Sequence, residues 1–333
     1  MAGPDNDAVT AGAAAAAAAF RAFARREAAG RSPAYAELAE EAAGDELVMS
    51  FVAARPAGRR QPALLFAAAR YLLGLPGAAP ALAQLRDLAA EPGAGLAGVM
   101  LARRTQTNEP ARCAVLLPAL AQLPEPLALI DVGASAGLTL LYDRYSYDYG
   151  GHRVTGLDPA APTLRCQPRG PVPLPARVPA ITWRAGLDIS PLDVSSDDDA
   201  RWLSCLVWPG EGDRAARLAA AIATARRDPP AVHRGDLLAA LPALARQAPA
   251  DATLVICHTS VLFYVGPGIR DQFGRAVRGL GAAWLSSEAP GVVPGTLTGP
   301  GAPAGDDQLC VLARDGRPLG YADSHGTWLR WLA

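Results

Sequence analysis

The chain has 333 residues, half of them hydrophobic, with a net charge of -1 and a pI near 6.4. That is enough to bury one large core or two modest ones, and it lacks the positive surplus that marks a nucleic-acid or membrane surface. All 31 basic residues are arginine, which excludes chemistry that needs an amine side chain, such as Schiff-base formation, pyridoxal phosphate attachment or a P-loop lysine.

The N-terminal alanine run has acidic residues before it and arginines after it, the reverse of a signal peptide. No window holds 18 apolar residues without charge, so the expectation is a cytoplasmic protein with no membrane span. From about Ala11 to Leu123 the pattern is helical throughout, predicting a domain over 1–123 of five to seven short helices. Ser32-Pro33 reads as an N-cap with a first-turn proline and Gly44 as the stop, while Gln61-Pro62 opens a helix closed by Gly74. Thr107-Asn108-Glu109-Pro110 starts a further helix, with Arg112 one residue inside it. Cys113, Cys166, Cys205, Cys257 and Cys310 show no C-x-x-C spacing and read as buried small hydrophobes.

After Leu123 short apolar runs alternate with helical segments, the signature of a mostly parallel sheet wrapped by helices. Strands are predicted at Leu127 to Val132, Arg153 to Leu157, Ala231 to Arg234, Thr253 to His258 and Ala282 to Ser287. A hairpin follows from Gln308 to Ala313 and Leu319 to Ala322. The expectation is an α/β domain over 124–333 with a seven-stranded sheet, interrupted by an insertion at about 159–230. Seven prolines between Pro159 and Pro179 argue against regular structure there. The rest of the insertion reads as a strand at Leu203 to Trp208, a helix from Asp213 to Arg226, and a solvated loop at Asp197-Asp198-Asp199.

Leu127 to Val132 runs through Gly133-Ala134-Ser135-Ala136-Gly137 into a predicted helix near Leu138. A strand, a small-residue turn and a helix N-terminus leave amide groups for a ligand to approach. Asp131 followed by this turn resembles the first motif of class I S-adenosylmethionine-dependent methyltransferases, with Ser135 where the middle glycine usually stands. The order of strands and closing hairpin is similar to the methyltransferase topology, whose last strand is inserted antiparallel. The resemblance implies S-adenosylmethionine as cofactor and a small or medium-sized molecule as methyl acceptor; no spacing of His, Cys or carboxylate meets a metal-site template, so no metal is expected.

On this reading Asp131, Gly133, Ser135 and Gly137 cradle the cofactor. Asp158, at a predicted strand end, accepts hydrogen bonds from its ribose, and Asp236 after the third strand reaches the adenine. Gly186-x-Asp188 competes with Asp236, because Ile181 to Arg184 also reads as a strand. His258, Glu109 and Glu288 are the candidates for catalysis near the acceptor, with Asn108, Arg112, Tyr264 and His325 as substrate-binding groups. Bland readings stand beside these: Asp236 as a helix cap, His258 as a buried hydrogen-bonded imidazole, Asn108 or Thr107 as a cap, Tyr264 as core.

Thr107-Asn108-Glu109 with Arg112, Gly133 to Gly137 after Ile130-Asp131, Trp208-Pro209 followed by Arg214 and Arg217, Trp284 with Glu288, and His325-Gly326 with Trp328 together resemble a family of bacterial proteins of unknown function, common in high-GC bacteria. That resemblance supplies a fold of Rossmann-like, methyltransferase type with an N-terminal all-helical domain, and no reaction. Two other readings compete. Gly133 to Gly137 also spells the G-x-S-x-G elbow of a serine hydrolase, with Ser135 attacking, His325 as base and Asp306 or Asp307 orienting it. Alternatively the domain keeps the methyltransferase shape as a non-catalytic module that contacts another protein.

Overall fold

The computed structural model describes residues 4–93, 95–297 and 308–332, so Asp306 and Asp307 lie outside the described residues. The chain divides into two compact units, one of Met1–Thr107 with Asp197–Ala216 and one of Asn108–Ser196 with Arg217–Ala333. The boundary expected after Leu123 therefore falls at Asn108. Among the described residues no helix is long and apolar enough to cross a membrane.

The first unit is helical. Its helices are Pro4–Phe23, Pro33–Ala43, Glu46–Ala53, Pro62–Leu73, Leu82–Ala90, Gly95–Ala102 and Asp197–Leu206. The punctuation read from sequence places two of them: Pro33 and Pro62 occupy first turns, and Gly74 closes the fourth helix at a φ of +65° that favours glycine. Phe20, Phe23, Tyr35, Phe66 and Trp208 form an aromatic core, with Tyr35 and Phe66 ring centroids 4.9 Å apart. Arg70 is fully buried beside it and donates to the Tyr35 hydroxyl and to the carbonyls of Leu75, Cys205 and Val207.

The expected strand at Leu203 to Trp208 is instead the end of a helix and the turn beyond it. Asp197, Asp198 and Asp199 form that helix's first turn, where carboxylates meet the positive end of the helix dipole. Asp198 and Asp199 both pair with Arg103, so this acidic run, still solvated at Asp197 and Asp198, is a helix start and not a loop.

The second unit is α/β. Its strands in chain order are β1 (Leu127–Val132), β2 (Ser146–Tyr149), β3 (His152–Val154), β4 (Thr163–Arg165), β5 (Gln167–Pro168), β6 (Ile181–Asp188), β7 (Val232–Arg234), β8 (Thr253–Thr259), β9 (Ala283–Glu288), β10 (Leu309–Arg314), β11 (Arg317–Asp323) and β12 (Trp328–Trp331). Nine of them make one mostly parallel sheet in the order β7-β6-β1-β8-β9-β10-β11-β12-β5, and β3-β2-β4 form a small second sheet.

Nine strands replace the expected seven for identifiable reasons. Arg153 to Leu157 does not enter the large sheet. Its first part pairs with β2, and the chain then passes so close to residues 144–145 that a Cβ on Gly156 would lie 2.1 Å from the Tyr145 carbonyl oxygen. β6 takes its place beside β1. At the far edge β5 pairs with β12, so the proline-rich stretch does contain strand, confined to an edge where a missing N–H is tolerated. The hairpin β10-β11 follows β9 directly as an antiparallel meander, unlike the expected inserted strand.

β1 is buried along its whole length because both faces of the sheet are covered. Ile130 and Val132 pack with Ile256, Leu241, Phe273, Val277 and Trp284 on one face. All five cysteines are buried and unbridged.

Candidate functional site

Parallel strands bring their C-terminal ends to one edge, and at β1 the strand order reverses: β6 and β7 lie to one side, β8 and β9 to the other. Such a reversal splays the loops apart and is where open α/β sheets bind ligands. The glycine turn sits at that point. Gly133 and Gly137 have φ values of +76° and +74°, and Ser135 adopts +53°, a left-handed conformation costly for a residue with a Cβ. Ser135 thus stands where backbone geometry favours the usual middle glycine.

The turn's amides are engaged within the protein. Gly133 N–H donates to the Leu187 carbonyl at 2.7 Å, Ser135 N–H to Asp188 Oδ2 at 2.8 Å, Gly137 N–H to the Ala134 carbonyl at 2.7 Å and Leu138 N–H to Asn108 Oδ1 at 2.9 Å. Beyond the turn the chain makes only a 3-10 turn, Leu138–Leu140, where a helix was expected. There is accordingly no helix dipole behind these amides, and the strand–turn–helix setting of a hydrolase elbow is not formed. A Cβ on Gly133 would meet the Val261 side chain at 2.3 Å, and one on Gly137 would meet Pro230 at 2.7 Å. The two glycines let neighbouring side chains come close.

Asn108 explains part of this rigidity. Its carboxamide donates to the Ala134 carbonyl and accepts from Leu138 N–H, so one buried side chain clamps both arms of the turn. Glu109, also buried, accepts from Ala111 N–H and from Arg217 Nε at 2.7 Å. Arg112 donates to the Thr259 and Ser324 carbonyls and so joins the end of β8 to the turn after β11. His325 lies in that turn, with Nδ1 3.0 Å from the Ser324 hydroxyl.

The acids fall out differently from expectation. Asp158 is not at a strand end; it lies in a surface bend, where Arg227 and then Ala160 N–H donate to it and hold its carboxyl below the usual range. The acid that ends the strand beside β1 is Asp188. Its Oδ2 accepts from Ser135 N–H and its Oδ1 from Ser190 N–H, which fixes the carboxylate against the glycine turn. Ile189, the next residue, is 63% exposed. Asp236 follows β7 and accepts from the N–H groups of Leu238 and Ala239, a local cap. The helix expected over Leu237 to Ala248 is limited to Leu241–Ala245.

Asp131 faces the side of β1 away from Ile130 and Val132, and accepts from the Thr139 hydroxyl. Burial pushes its carboxyl up to about 7; the Thr139 hydrogen bond and His258 oppose that rise, and Asp188 adds to it. Since the folded value lies above the unfolded carboxylate value of about 4, the folded protein binds this proton more tightly. The resulting penalty is absent below pH ~4, grows between ~4 and ~7, and is complete above that, reaching on the order of 4 kcal/mol. Asp131→Asn, which cannot ionise, is expected to flatten the fall in melting temperature from pH 5 to pH 8 and to be the more stable protein at pH 8. Parallel pH profiles for the two proteins would rule this out.

His258 was expected to face a reacting group and does not. Strand alternation puts it on the same face as Ile256, where it is fully buried against Phe273 at a ring-centroid distance of 5.5 Å. Trp284 Nε1–H donates to its Nε2 at 2.9 Å, and its Nδ1 lies 2.7 Å from Glu288 Oε1. An indole can only donate, so Nε2 accepts and the ring proton sits on Nδ1, directed at Glu288. Both nitrogens are committed, which leaves no lone pair for general-base work. Glu288 Oε1 also accepts from the N–H groups of Val261 and Leu262, at 2.8 and 3.1 Å. The pair holds the loop after β8 in place. Tyr264, in that loop, is 60% exposed rather than core.

A family model described as "Uncharacterized protein conserved in bacteria (DUF2332)" matches residues 17–331. The chain belongs to the DUF2332 family. No curated protein and no solved structure matches it. The resemblance read from sequence thus has a physical content in this DUF2332 protein: Asn108 clamps the glycine turn, Trp284 and Glu288 bracket His258, and Gly326 lets its turn pack where a Cβ would lie 2.3 Å from the Ala111 carbonyl oxygen. In the DUF2332 chain the acid at the end of the strand beside β1 is Asp188, where the sequence reading placed Asp158. The available signal was an acid two residues after Gly186, at the end of an alternating run. Among the described residues no three His, Cys, Asp or Glu side chains gather as a metal site.

Proposed function

We propose that the second unit binds S-adenosylmethionine at the reversal point of its sheet and transfers the methyl group to a small or medium-sized acceptor. The observation that carries this reading is Asp188: a carboxylate at the end of the strand beside β1, oriented by Ser135 N–H, with the exposed apolar Ile189 next to it. A ribose diol offers two donors to such a carboxylate, and a purine face suits an exposed aliphatic side chain. The parallel strands in the order β7-β6-β1-β8-β9 support a methyltransferase-type arrangement around it.

Fit to the cofactor is best on its nucleoside side. Asp188, Ile189 and Asp236 would hold the sugar and base, whereas the amides of Gly133, Ser135 and Gly137 are satisfied internally and are not assigned to it. The turn's task is to bring β1 and Asp188 together. When bound, the cofactor supplies an electrophilic methyl group. The protein supplies alignment, which is most of what methyl transfer demands: Asn108 and Glu288 fix the turn after β1 and the loop after β8, between which an acceptor must be placed. No general base is assigned, since His258 is committed on both nitrogens. Incubating the protein with S-adenosylhomocysteine is expected to raise its melting temperature in a saturable way. No shift at millimolar ligand would refute the reading.

The coverage of Gly133 by Val261 and of Gly137 by Pro230 favours a second reading, a methyltransferase-shaped module without catalysis. Binding of S-adenosylhomocysteine with no methyl transfer from labelled cofactor to any metabolite pool would favour it over the first.

A further inference from the structure

The two sides of the reversal point differ in chemistry. On the β6 and β7 side lie Asp188, Arg234 and Asp236. On the other side the loop after β8, residues 259–269, has no charged side chain, and neither do residues 289–297 after β9. The exposed groups there are large and apolar: Phe263, Tyr264 and Ile269 after β8, and Leu297, 71% exposed, after β9. Phe263 and Tyr264 lean on each other with ring centroids 3.9 Å apart and planes 35° from parallel.

These aromatics are exposed on a backbone that is fixed from both sides. From within, Glu288 accepts from Val261 and Leu262 N–H. From the following helix, Pro267–Gly279, Arg270 donates to the carbonyls of Leu262, Phe263 and Val265 at 2.9 to 3.4 Å. A buried carboxylate and a guanidinium that lock a short loop while its two rings stay in water keep a platform in shape, and pre-organisation of this kind lowers the cost of binding. We infer that Phe263 and Tyr264 form the acceptor platform, and that the acceptor is an uncharged small molecule with an aromatic or flat apolar body. The cation nearest the pair, Arg270, is engaged by the carbonyls of Leu262, Phe263 and Val265, so an acceptor bearing phosphate would lose its hydration there for little return.

This inference rests on the methyl-transfer reading, and its test is kept separate from it. The probes are 1-naphthol and 1-naphthyl phosphate, one ring system with and without charge, titrated by ligand fluorescence into the full chain and its Phe263→Ala/Tyr264→Ala double variant. Because both side chains are exposed, the variant's melting temperature is expected to match the parent's and confirms that it folds. The expected result is saturable naphthol binding, weaker by about tenfold or more for the phosphate and by about tenfold or more in the double variant, the scale of losing one stacked ring pair. Equal affinity for both probes, unchanged affinity in the variant, or no naphthol binding at millimolar concentration would overturn it. A dimer that the double variant converts to monomer would overturn it as well, assigning the pair to self-association. S-adenosylhomocysteine binding by the parent protein, measured alongside, reports on the cofactor reading independently of any of these results.

Discussion

Glu288→Ala is expected to lower the melting temperature by about 10 °C, the largest loss at any single polar group of the second unit. Three buried donors converge on Glu288 Oε1: His258 Nδ1–H, Val261 N–H and Leu262 N–H. Each buried donor left without an acceptor costs about 1–3 kcal/mol, so three of them amount to several kcal/mol. For a domain of this size that corresponds to roughly 2–4 °C per kcal/mol. Glu288→Gln keeps an acceptor oxygen in place and should lose less than half as much. Calorimetric melting of both variants checks the claim, and an alanine variant within a degree or two of the parent would show that the network is not under tension. The second oxygen, Oε2, is buried without a partner, which is why the charge alone does not account for the residue and the three donors do.

Gly133→Ala carries the second large effect. At a φ of +76° an alanine pays about 1–2 kcal/mol in backbone strain, and its Cβ would fall 2.3 Å from Val261 Cγ2, an overpacking cost of about 1–3 kcal/mol. Shortening the neighbour should recover the second term and leave the first. The double variant Gly133→Ala/Val261→Ala is therefore expected to be more stable than the sum of the single losses implies, with a coupling of about 1 kcal/mol or more in denaturant titrations. Strict additivity would mean that Val261 moves aside freely and that the turn is open. The same pair bears on function, because Val261 is the side chain that separates the glycine turn from the end of β8.

How much of this was legible in the chain depends on whether the signal was local. Helix starts at Pro33 and Pro62, the left-handed stop at Gly74, the strand β1 and the hairpin β10-β11 are set by residues within a few positions of each other, and the structure places them where the sequence reading did. β6 was harder. Ile181-Thr182-Trp183-Arg184-Ala185-Gly186-Leu187-Asp188 alternates imperfectly, and what makes it a central strand is pairing with β1 more than 50 residues earlier and with β7 more than 40 later. Without that pairing the local turn signal at Asp158-Pro159 was the stronger, and it put the strand-end acid at Asp158, where the structure has Asp188.

His258 was misplaced for a related reason. Its position near the end of β8 was legible, but the face it points to is decided by Ile256 and by the packing of Phe273 and Trp284 against it. Asp197 to Asp199 looked like a loop because Arg103, the partner of Asp198 and Asp199, lies almost a hundred residues away in sequence. In each case a non-local partner determined the outcome, and a single sequence does not display its partners.

Titration calorimetry with S-adenosylhomocysteine on the parent protein, Asp188→Asn and Asp158→Asn tests the central claim most directly. The prediction is micromolar binding to the parent, a loss of about tenfold or more for Asp188→Asn from the weakened charged hydrogen bonds, and parent-like binding for Asp158→Asn, with melting curves confirming that each variant is folded. No heat of binding at millimolar ligand, or a loss confined to Asp158→Asn, would contradict it.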